Sequence, residues 1–307
     1  MSAATASTTA AAPTRASWWQ RLLPVPTVCL AIICIWYASA VFLNSPWQHD
    51  QYQRAGNDSW TTTEFVRETL QQERPVLPAP HQVAQEVWNT TVKKKITSKR
   101  SLIYHARITL SSALLGFMLG TLLGILLAVA IIHNRALDRS LMPWIIASQT
   151  IPILAIAPMI IVVLNAIGLQ GLLPKAFISM YLSFFPVAVG MVKGLRSPDH
   201  THLDLMRTYS ASASQVFWKL RLPASMPYLF ASMKIAVAIA LVGAIVGELP
   251  TGAVAGLGAR LLAGSYYGQT IQIWSALVMA SLLAALLVGL IGLIDKVVTR
   301  SMGLTSQ

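Results

Sequence analysis

Long runs of apolar residues, separated by shorter polar segments, set the pattern of this chain. A helix needs about 20 apolar residues to span a bilayer, and six stretches come near or above that length: 25–43, 108–132, 141–164, 172–192, 228–247 and 274–294. Lys175 and Lys234 are the charged residues inside these stretches. Each lies near an end, where a long side chain can reach the membrane surface. The pattern predicts an all-α membrane protein with about six transmembrane helices.

Composition supports a location in lipid. The sequence is 55% hydrophobic and only 11% charged, whereas a typical soluble domain has about 25% charged residues. A soluble fold of this composition would lack the polar surface to cover itself. The net charge of +12 comes from basic residues between the apolar runs and not on one face. We therefore expect no nucleic-acid partner and interpret the basic excess as a signal of membrane topology.

The distribution of Lys and Arg predicts the orientation. With the N-terminus inside, the inside segments hold eleven basic residues and the short outside segments hold two, Lys175 and Arg260. Basic residues favour the cytoplasmic side, so both termini are expected to be cytoplasmic. The long first outside segment carries nine more basic residues, including the cluster 93–100. If these residues are counted, the inside segments no longer hold more basic residues than the outside segments. Loops of this length translocate largely regardless of charge.

The N-terminal region divides into a tail and a first span. Residues 1–24 are predicted to be a disordered cytoplasmic tail, because Ala, Thr and Ser dominate most of it. Residues 25–43 are predicted to be the first transmembrane helix. Arg15 and Arg21 before this run also fit a signal peptide, but no small-residue cleavage pattern follows it. We favour a retained helix.

The remainder divides into a loop and a core. Residues 44–107 are predicted to form a long periplasmic loop with short amphipathic helices at 63–74 and 83–92. Residues 108–302 are predicted to form a core of five transmembrane helices. The cytoplasmic loop 204–223 lies between the fourth and fifth of the six spans.

No pattern for catalysis, a metal or a cofactor is evident. Cys29 and Cys34 lie in one apolar run, and His200 and His202 have no Cys or carboxylate partners at metal-ligand spacing. The phosphate-binding pattern Gly-x-x-x-x-Gly-Lys-Ser/Thr does not occur in the sequence. We therefore predict a protein that is not an enzyme, holds no metal or cofactor, and depends on another chain for any ATP hydrolysis.

Residues 204–223, called the coupling segment below, are the most informative part of the sequence. Asp204 is expected at the start of a first short helix, where a carboxylate is favourable. The small residues 210–214 are poor helix formers and predict a joint. A second short helix with apolar and aromatic positions follows, and Pro223 is expected to end it. Such a helix pair suits docking into a groove of another protein, although a simple connector between spans has the same pattern.

The coupling segment resembles the EAA loop of binding-protein-dependent ABC importer permeases. That pattern reads Glu-Ala-Ala, three residues, Gly, nine residues, Ile-x-Leu-Pro, and it fits here without a gap. Asp204, Leu205 and Met206 stand at Glu-Ala-Ala, and Ser210 stands at the Gly. The remaining positions are occupied by Leu220, Leu222 and Pro223.

Residues 77–302 resemble the nitrate, sulfonate and taurine group of these permeases, as in 148–158, 183–186 and 242–248. The resemblance implies a type I ABC importer permease bundle in a bacterial inner membrane. It also implies separate ATPase subunits, a periplasmic substrate-binding protein and a second permease copy, which we expect to form a homodimer. The expected solute is small and polar, such as a pyrimidine-like, sulfonate or nitrate-like compound. A secondary transporter working without an ATPase is the alternative function.

The resemblance gives two sets of candidate residues. Phe217 and Trp218 are expected to anchor the coupling segment on the ATPase, because buried aromatic residues dominate interfaces. Polar residues within the apolar runs are candidates for lining the path: Gln149, Thr150, Asn165, Ser179, Ser183 and Glu248. Hydrogen bonding between helices is the alternative role for the polar residues. For Glu248 the alternatives are solvation outside the membrane or a cap on the next helix.

Gly116, Gly120 and Gly124 recur at every fourth residue of the second apolar run. Small residues at this spacing allow two helices in a membrane to approach closely. The pattern predicts close packing either between two copies of the chain or within one.

Overall fold

The computed structural model describes residues 24–56, 59–250 and 253–303, and the regular elements in these ranges are helices. Five of the described helices are long and apolar enough to cross a membrane, and a bent pair makes a sixth if it counts as one span. This confirms the all-α membrane fold. The predicted tail lies outside the described residues except for Pro24. The chain forms two compact units that divide between Gln82 and Val83.

The first unit contains α1 (Pro24–Ala55), α2 (Thr62–Thr69) and the start of α3 (Pro80–Thr91). α1 has 32 residues, which corresponds to about 48 Å at the rise of an α-helix. The hydrocarbon core of a bilayer is only about 30 Å thick. One end of α1 therefore extends well beyond the length that a span requires.

Side-chain hydrogen bonds explain why α1 continues past residue 43, where the sequence predicts a loop. Asn44, Gln48 and Tyr52 lie four residues apart and share one face of the helix. The Asn44 amide donates to the Leu77 carbonyl at 2.8 Å and accepts from the Leu77 N–H at 3.1 Å. Gln48 and Tyr52 donate to the Glu68 carboxylate at 3.0 and 2.6 Å. The predicted loop start at residue 44 is wrong because the returning chain satisfies this polar face.

The two short helices predicted in this region are present with different bounds. α2 ends at Thr69 instead of residue 74, and turns and bends follow it up to the next helix. α3 begins at Pro80, a residue that fits the first turn of a helix, and ends at Thr91.

The second unit contains the rest of the described helices: α4 (Leu102–His133), α5 (Arg135–Ser148), α6 (Ile153–Ala166), α7 (Leu172–Leu195), α8 (His200–Thr208), α9 (Ala213–Val216), a π-helical turn (Phe217–Arg221), α10 (Leu222–Glu248), α11 (Leu257–Tyr266) and α12 (Thr270–Ser301). The most extensive packing is that of α7 against α4 and α10. Val187, Met191 and Val237 are among the buried residues of this core.

The predicted third span is broken. α5 and α6 meet at an angle of 101°, and the four residues between them, 149–152, do not continue either helix. Pro152 lacks an N–H and disfavours the α conformation of the residue before it, which accounts for the break. The span predicted over 141–164 is therefore made of two helices with a break between them, and not of one continuous helix.

The glycine face of α4 packs within a single chain. A Cβ atom at Gly116 would lie 2.3 Å from Ser179 Cβ and 2.5 Å from the Ala176 carbonyl oxygen. At Gly120 and Gly124 a Cβ would meet α7 at 2.2 and 2.8 Å. The structure therefore favours packing within one chain over a seam between two copies, because these glycines are covered by α7.

We expect Gly116→Ala to lower the melting temperature of the purified protein in detergent. The new Cβ would collide with backbone as well as side-chain atoms of α7, and overpacking of this kind costs about 1–3 kcal/mol. Gly289→Ala on α12 is the matched control, because a Cβ there meets no heavy atom within 4 Å. Equal melting temperatures for the two variants would contradict the prediction.

Candidate functional site

The first half of the coupling segment lies on α8, soon after the end of α7. Asp199 precedes α8 as its N-cap residue, and its carboxylate accepts from the His200 N–H at 2.7 Å. Asp204 lies within α8 and not at its start, which corrects the sequence-based placement. Its carboxylate forms an exposed ion pair with Arg207 at 3.0 Å.

Ser210 closes α8 with an unusual backbone conformation. Its φ is +50°, and it is the one non-glycine residue with a positive φ among the described residues. The Ser210 N–H donates to the Arg207 carbonyl at 2.8 Å, and the Ala211 N–H donates to the Met206 carbonyl at 3.0 Å. These two hydrogen bonds form a Schellman motif, whose left-handed position is usually a glycine. The motif explains physically why the resembling pattern has Gly here.

Substitutions at Ser210 should alter the stability of this end of α8 in opposite directions. A left-handed residue with a side chain costs about 1–2 kcal/mol, and a β-branched one is a genuine outlier there. We expect Ser210→Gly to slow amide hydrogen exchange in residues 206–211 and Ser210→Val to speed it. The same exchange rate in both variants would show that the left-handed conformation is not maintained.

The second half of the coupling segment is continuous with the fifth span. Ser212 and Gln215 form a capping box that starts α9, with hydrogen bonds of 2.8 and 3.3 Å. α9, the π-helical turn and α10 then form one helical stretch, Ala213–Glu248. Pro223 therefore does not end a separate helix, because it falls in the first turn of α10, where its missing N–H is tolerated. The joint of the segment is at residues 209–212.

The structure separates the roles of the two adjacent aromatic residues. The Phe217 ring lies 5.2 Å from the His133 ring at the end of α4, and Phe217 packs against the main core. The Trp218 side chain points away from the bundle and is 63% exposed. Phe217 therefore attaches the segment to its own bundle, and Trp218 is available to another molecule.

Polar contacts also attach the segment to the bundle. Arg221 donates to the Leu195 carbonyl at the end of α7 at 3.3 Å. Next to it, Arg196 forms an ion pair with Asp138 of α5 at 2.7 Å. Leu220 and Leu222 are half-buried, and Leu222 packs against the main core. A displacement of the segment would therefore act on several helix ends at once.

An exposed apolar face remains on the segment. Leu205 is 53% exposed and Tyr209 77% exposed on the side chain, in addition to Trp218. Tyr209 was not among the residues selected from the sequence, although its spacing of four from Leu205 places both on one helix face. Met206 is half-buried on α8. Large apolar groups that stay exposed are candidates for a contact surface.

The candidate path-lining residues do not form one group. Gln149 and Thr150 lie at the break between α5 and α6, half-buried and exposed respectively. Asn165 lies near the end of α6, is exposed, and lines a cavity of about 580 Å³ together with Lys175. None of these three residues is fully buried.

Ser179 and Ser183 are fully buried against α4. The Ser179 hydroxyl donates to the Lys175 carbonyl at 3.1 Å, and the Ser183 hydroxyl lies 3.4 Å from the Gly116 carbonyl oxygen. Both serines are small residues that permit the close approach of α4 and α7. In this structure they contact a neighbouring helix instead of open space, as in the alternative role considered above.

Glu248 is fully buried at the end of α10 and belongs to a cap on the next helix, α11. The Gly258 N–H donates to the Glu248 carboxylate at 2.7 Å, and the Thr109 hydroxyl donates to it at 2.9 Å. The Leu257 N–H donates to the Thr109 hydroxyl oxygen at 2.8 Å. Burial leaves this carboxylate no path-facing surface, and the contacts match the capping alternative.

The neighbouring histidine completes the cap. The Gly256 N–H donates to His105 Nδ1 at 3.0 Å, so His105 Nε2 carries a proton and donates to the Lys99 carbonyl at 2.9 Å. Three successive N–H groups before and within the first turn of α11 thereby find side-chain acceptors on α4 and α10, which satisfies donors that a helix start leaves unpaired. Among the described residues, no group of three His, Cys, Asp or Glu could hold a metal ion.

We expect Thr109→Val to lower the melting temperature of the protein. It leaves the buried Leu257 N–H without its acceptor and removes a donor from the buried Glu248 carboxylate, at a cost of about 1–3 kcal/mol for each unsatisfied group. Thr109→Ser keeps the hydroxyl and serves as the control. A valine variant as stable as the serine variant would contradict this account of the cap.

Comparisons of the sequence with known proteins identify the family of this chain. A family model described as a binding-protein-dependent transport system inner membrane component matches residues 120–303. The riboflavin transport system permease protein of Chloroflexus aurantiacus is 34% identical over 225 residues, which cover 73% of this chain and 80% of that protein. The formylaminopyrimidine transport permease protein of Halalkalibacterium halodurans is 31% identical over 184 residues, covering 60% and 68% respectively.

A probable ABC transporter permease protein of Haemophilus influenzae is 30% identical over 204 residues, covering 66% of this chain and 78% of that protein. Among solved structures, the MetNI methionine ABC transporter in an inward-facing form matches with a TM-score of 0.49 and 21% identity, covering 72% of this chain and 96% of that chain. The family match spans more than half of the chain, including α7, the coupling segment and α10. This chain belongs to the family of binding-protein-dependent transport system inner membrane components, the permease components of ABC transporters.

Proposed function

We propose that this chain forms the translocation path of an ABC importer and that its coupling segment docks on a separate ATPase subunit. The observation that carries the proposal is that Leu205, Tyr209 and Trp218 are exposed on a segment fixed to the bundle. Phe217 and Arg221 make that attachment to the ends of α4 and α7. A partner that pushes on the exposed face would therefore move the spans themselves.

Membership of this family supports the presence of two partners, an ATPase subunit and a substrate-binding protein. We further propose that two copies of the chain form a homodimer in the bacterial inner membrane, with both termini and the coupling segment in the cytoplasm. Large apolar side chains on α6 support a partner or lipid there, since Leu154, Met159 and Val162 are 63–67% exposed. Surfaces of this kind are covered in a functional assembly.

The transported compound is proposed to be a small polar solute. The relatives named for transport of riboflavin and formylaminopyrimidine support this class. Further relatives are named for aliphatic sulfonates, in Bacillus subtilis, and for nitrate, in Leptolyngbya laminosa. Riboflavin is much larger than nitrate, so polarity is the property that these compounds share, and among them only the sulfonates and nitrate carry an oxyanion group.

We expect Trp218→Ala to weaken binding of the cognate ATPase about thirtyfold or more, because removing a central interface Trp costs about 2 kcal/mol or more. The melting temperature of the permease should not change, because the Trp218 side chain is exposed. Phe217→Ala should instead lower that temperature, because Phe217 packs on the core. Titration of the ATPase onto the permease in nanodiscs measures the affinity, and thermal unfolding measures stability.

Trp88→Ala is the matched control, since Trp88 of α3 is 60% exposed and lies outside the coupling segment. ATPase affinity unchanged by Trp218→Ala would overturn the docking proposal. Solute uptake by the reconstituted permease without nucleotide would overturn the importer mechanism and favour a secondary transporter.

A further inference from the structure

A cavity of about 580 Å³ lies in the second unit, at the N-terminal end of α7. The coupling segment follows the other end of that helix, which is about 36 Å away for 24 residues of α-helix. The polar groups that line the cavity are Ser112, Asn165, Gln170 and Lys175. The remaining lining residues are small, apolar or glycine.

Lys175 is the unusual residue of this cavity. Its exposed fraction is only 8%, yet among the described residues its ammonium group forms no ion pair and no hydrogen bond. Lys234, the other lysine within an apolar run, forms an ion pair with Asp295 at 2.7 Å. The Lys175 ammonium is not among the fully enclosed polar atoms without a partner, so it faces the cavity. Ionisable residues within a membrane are rare and usually functional.

The surroundings of Lys175 favour a negative ligand. Asn165 and Gln170 bring amide donors and Ser112 a hydroxyl to the same cavity, and no acidic residue is among its described lining residues. The cavity also lies at a helix N-terminus, where N–H groups and the helix dipole favour anions. The donors, the unpaired cation and the dipole therefore all favour an anion.

Glu248 does not neutralise Lys175 by direct contact. Lys175 acts electrostatically on Glu248, but the two residues form no ion pair, and the Glu248 carboxyl group is bound by Thr109 and the Gly258 N–H. A purely structural role for Lys175, as a distant counter-charge to Glu248, is the competing explanation. It predicts that no small molecule binds in the cavity.

We propose that this cavity binds the oxyanion group of the transported solute, a carboxylate, sulfonate, phosphate or nitrate, with Lys175 as its counter-ion and Asn165, Gln170 and Ser112 as further donors. The inference rests on the proposed transport function and specifies its substrate class. A solute that enters at this end would exchange its hydration for the lysine and the amides before it passes further along the bundle.

The test measures protection of Lys175 by defined probes. The full chain with its cognate ATPase is placed in phosphatidylcholine nanodiscs and methylated reductively, and mass spectrometry follows each lysine. The probes are nitrate, methanesulfonate, acetate and phosphate, with dimethyl sulfone and acetamide as neutral counterparts. At about ten times its Kd, an oxyanion should slow methylation of Lys175 about tenfold. Methylation of Lys234, which lies outside the cavity, should not respond.

Two variants provide a second measurement. The protective oxyanion should raise the melting temperature of the wild type and of Lys175→Arg, which keeps the charge, but not that of Lys175→Met. Protection by none of the oxyanions, equal protection by the neutral probes, or no methylation of Lys175 under any condition would overturn the proposal. Both variants responding equally would overturn it as well.

Two further outcomes distinguish the source of the oxyanion and the proposed function. Protection only in nanodiscs that contain phosphatidylglycerol would identify a lipid headgroup site and overturn the assignment to the solute. Probe binding requires no ATP, so its failure leaves docking of the coupling segment intact. Conversely, ATPase affinity unchanged in Trp218→Ala would not alter the protection of Lys175.

Discussion

Close contact of α7 with α4 and α10 is the constraint on which the rest of the second unit depends. In lipid, apolar surface gains little from meeting apolar surface, so helices associate through tight packing and hydrogen bonds. Glycines of α4 and serines of α7 allow the approach, and a methyl group at Gly116 would already collide with the Ala176 backbone. The helix that carries Lys175 at one end and leads to the coupling segment at the other is therefore held along its length.

Helix α7 connects two chemically different ends of the second unit. At one end a cavity has a lysine and amides, and at the other an aromatic face extends from the bundle. α7 reaches both, and α10 is continuous with the segment that bears Trp218. Under the proposed function, a change of packing at either end would be transmitted by these helices, because packed interfaces shift between discrete arrangements more readily than they deform.

The sequence allowed correct prediction of the spans from apolar length, except for the third, which is broken at residues 149–152, and of the family from the spacing around Asp204 and Pro223. The sequence did not show where hydrogen bonds, and not apolar length, decide the structure. Asn44 looks like the start of a loop, because its partner at Leu77 is distant in sequence. Ser179 is a polar residue within a span, but in this structure its small size allows α4 and α7 to approach closely. Glu248 looks like a path residue until the N–H groups before and within α11 are located.

The π-helical turn at Phe217–Arg221 has a consequence for how the loop tolerates change in length. One α-helical residue corresponds to a rotation of about 100°, and a π turn accommodates one additional residue within a continuous helix. Removing one residue from this turn would therefore restore a regular α-helix, and α9 and α10 on either side of it would keep their directions. A residue added at the joint near Ala211 would also leave α10 in place, so the segment has two places where its length can change by one residue without reorienting the fifth span.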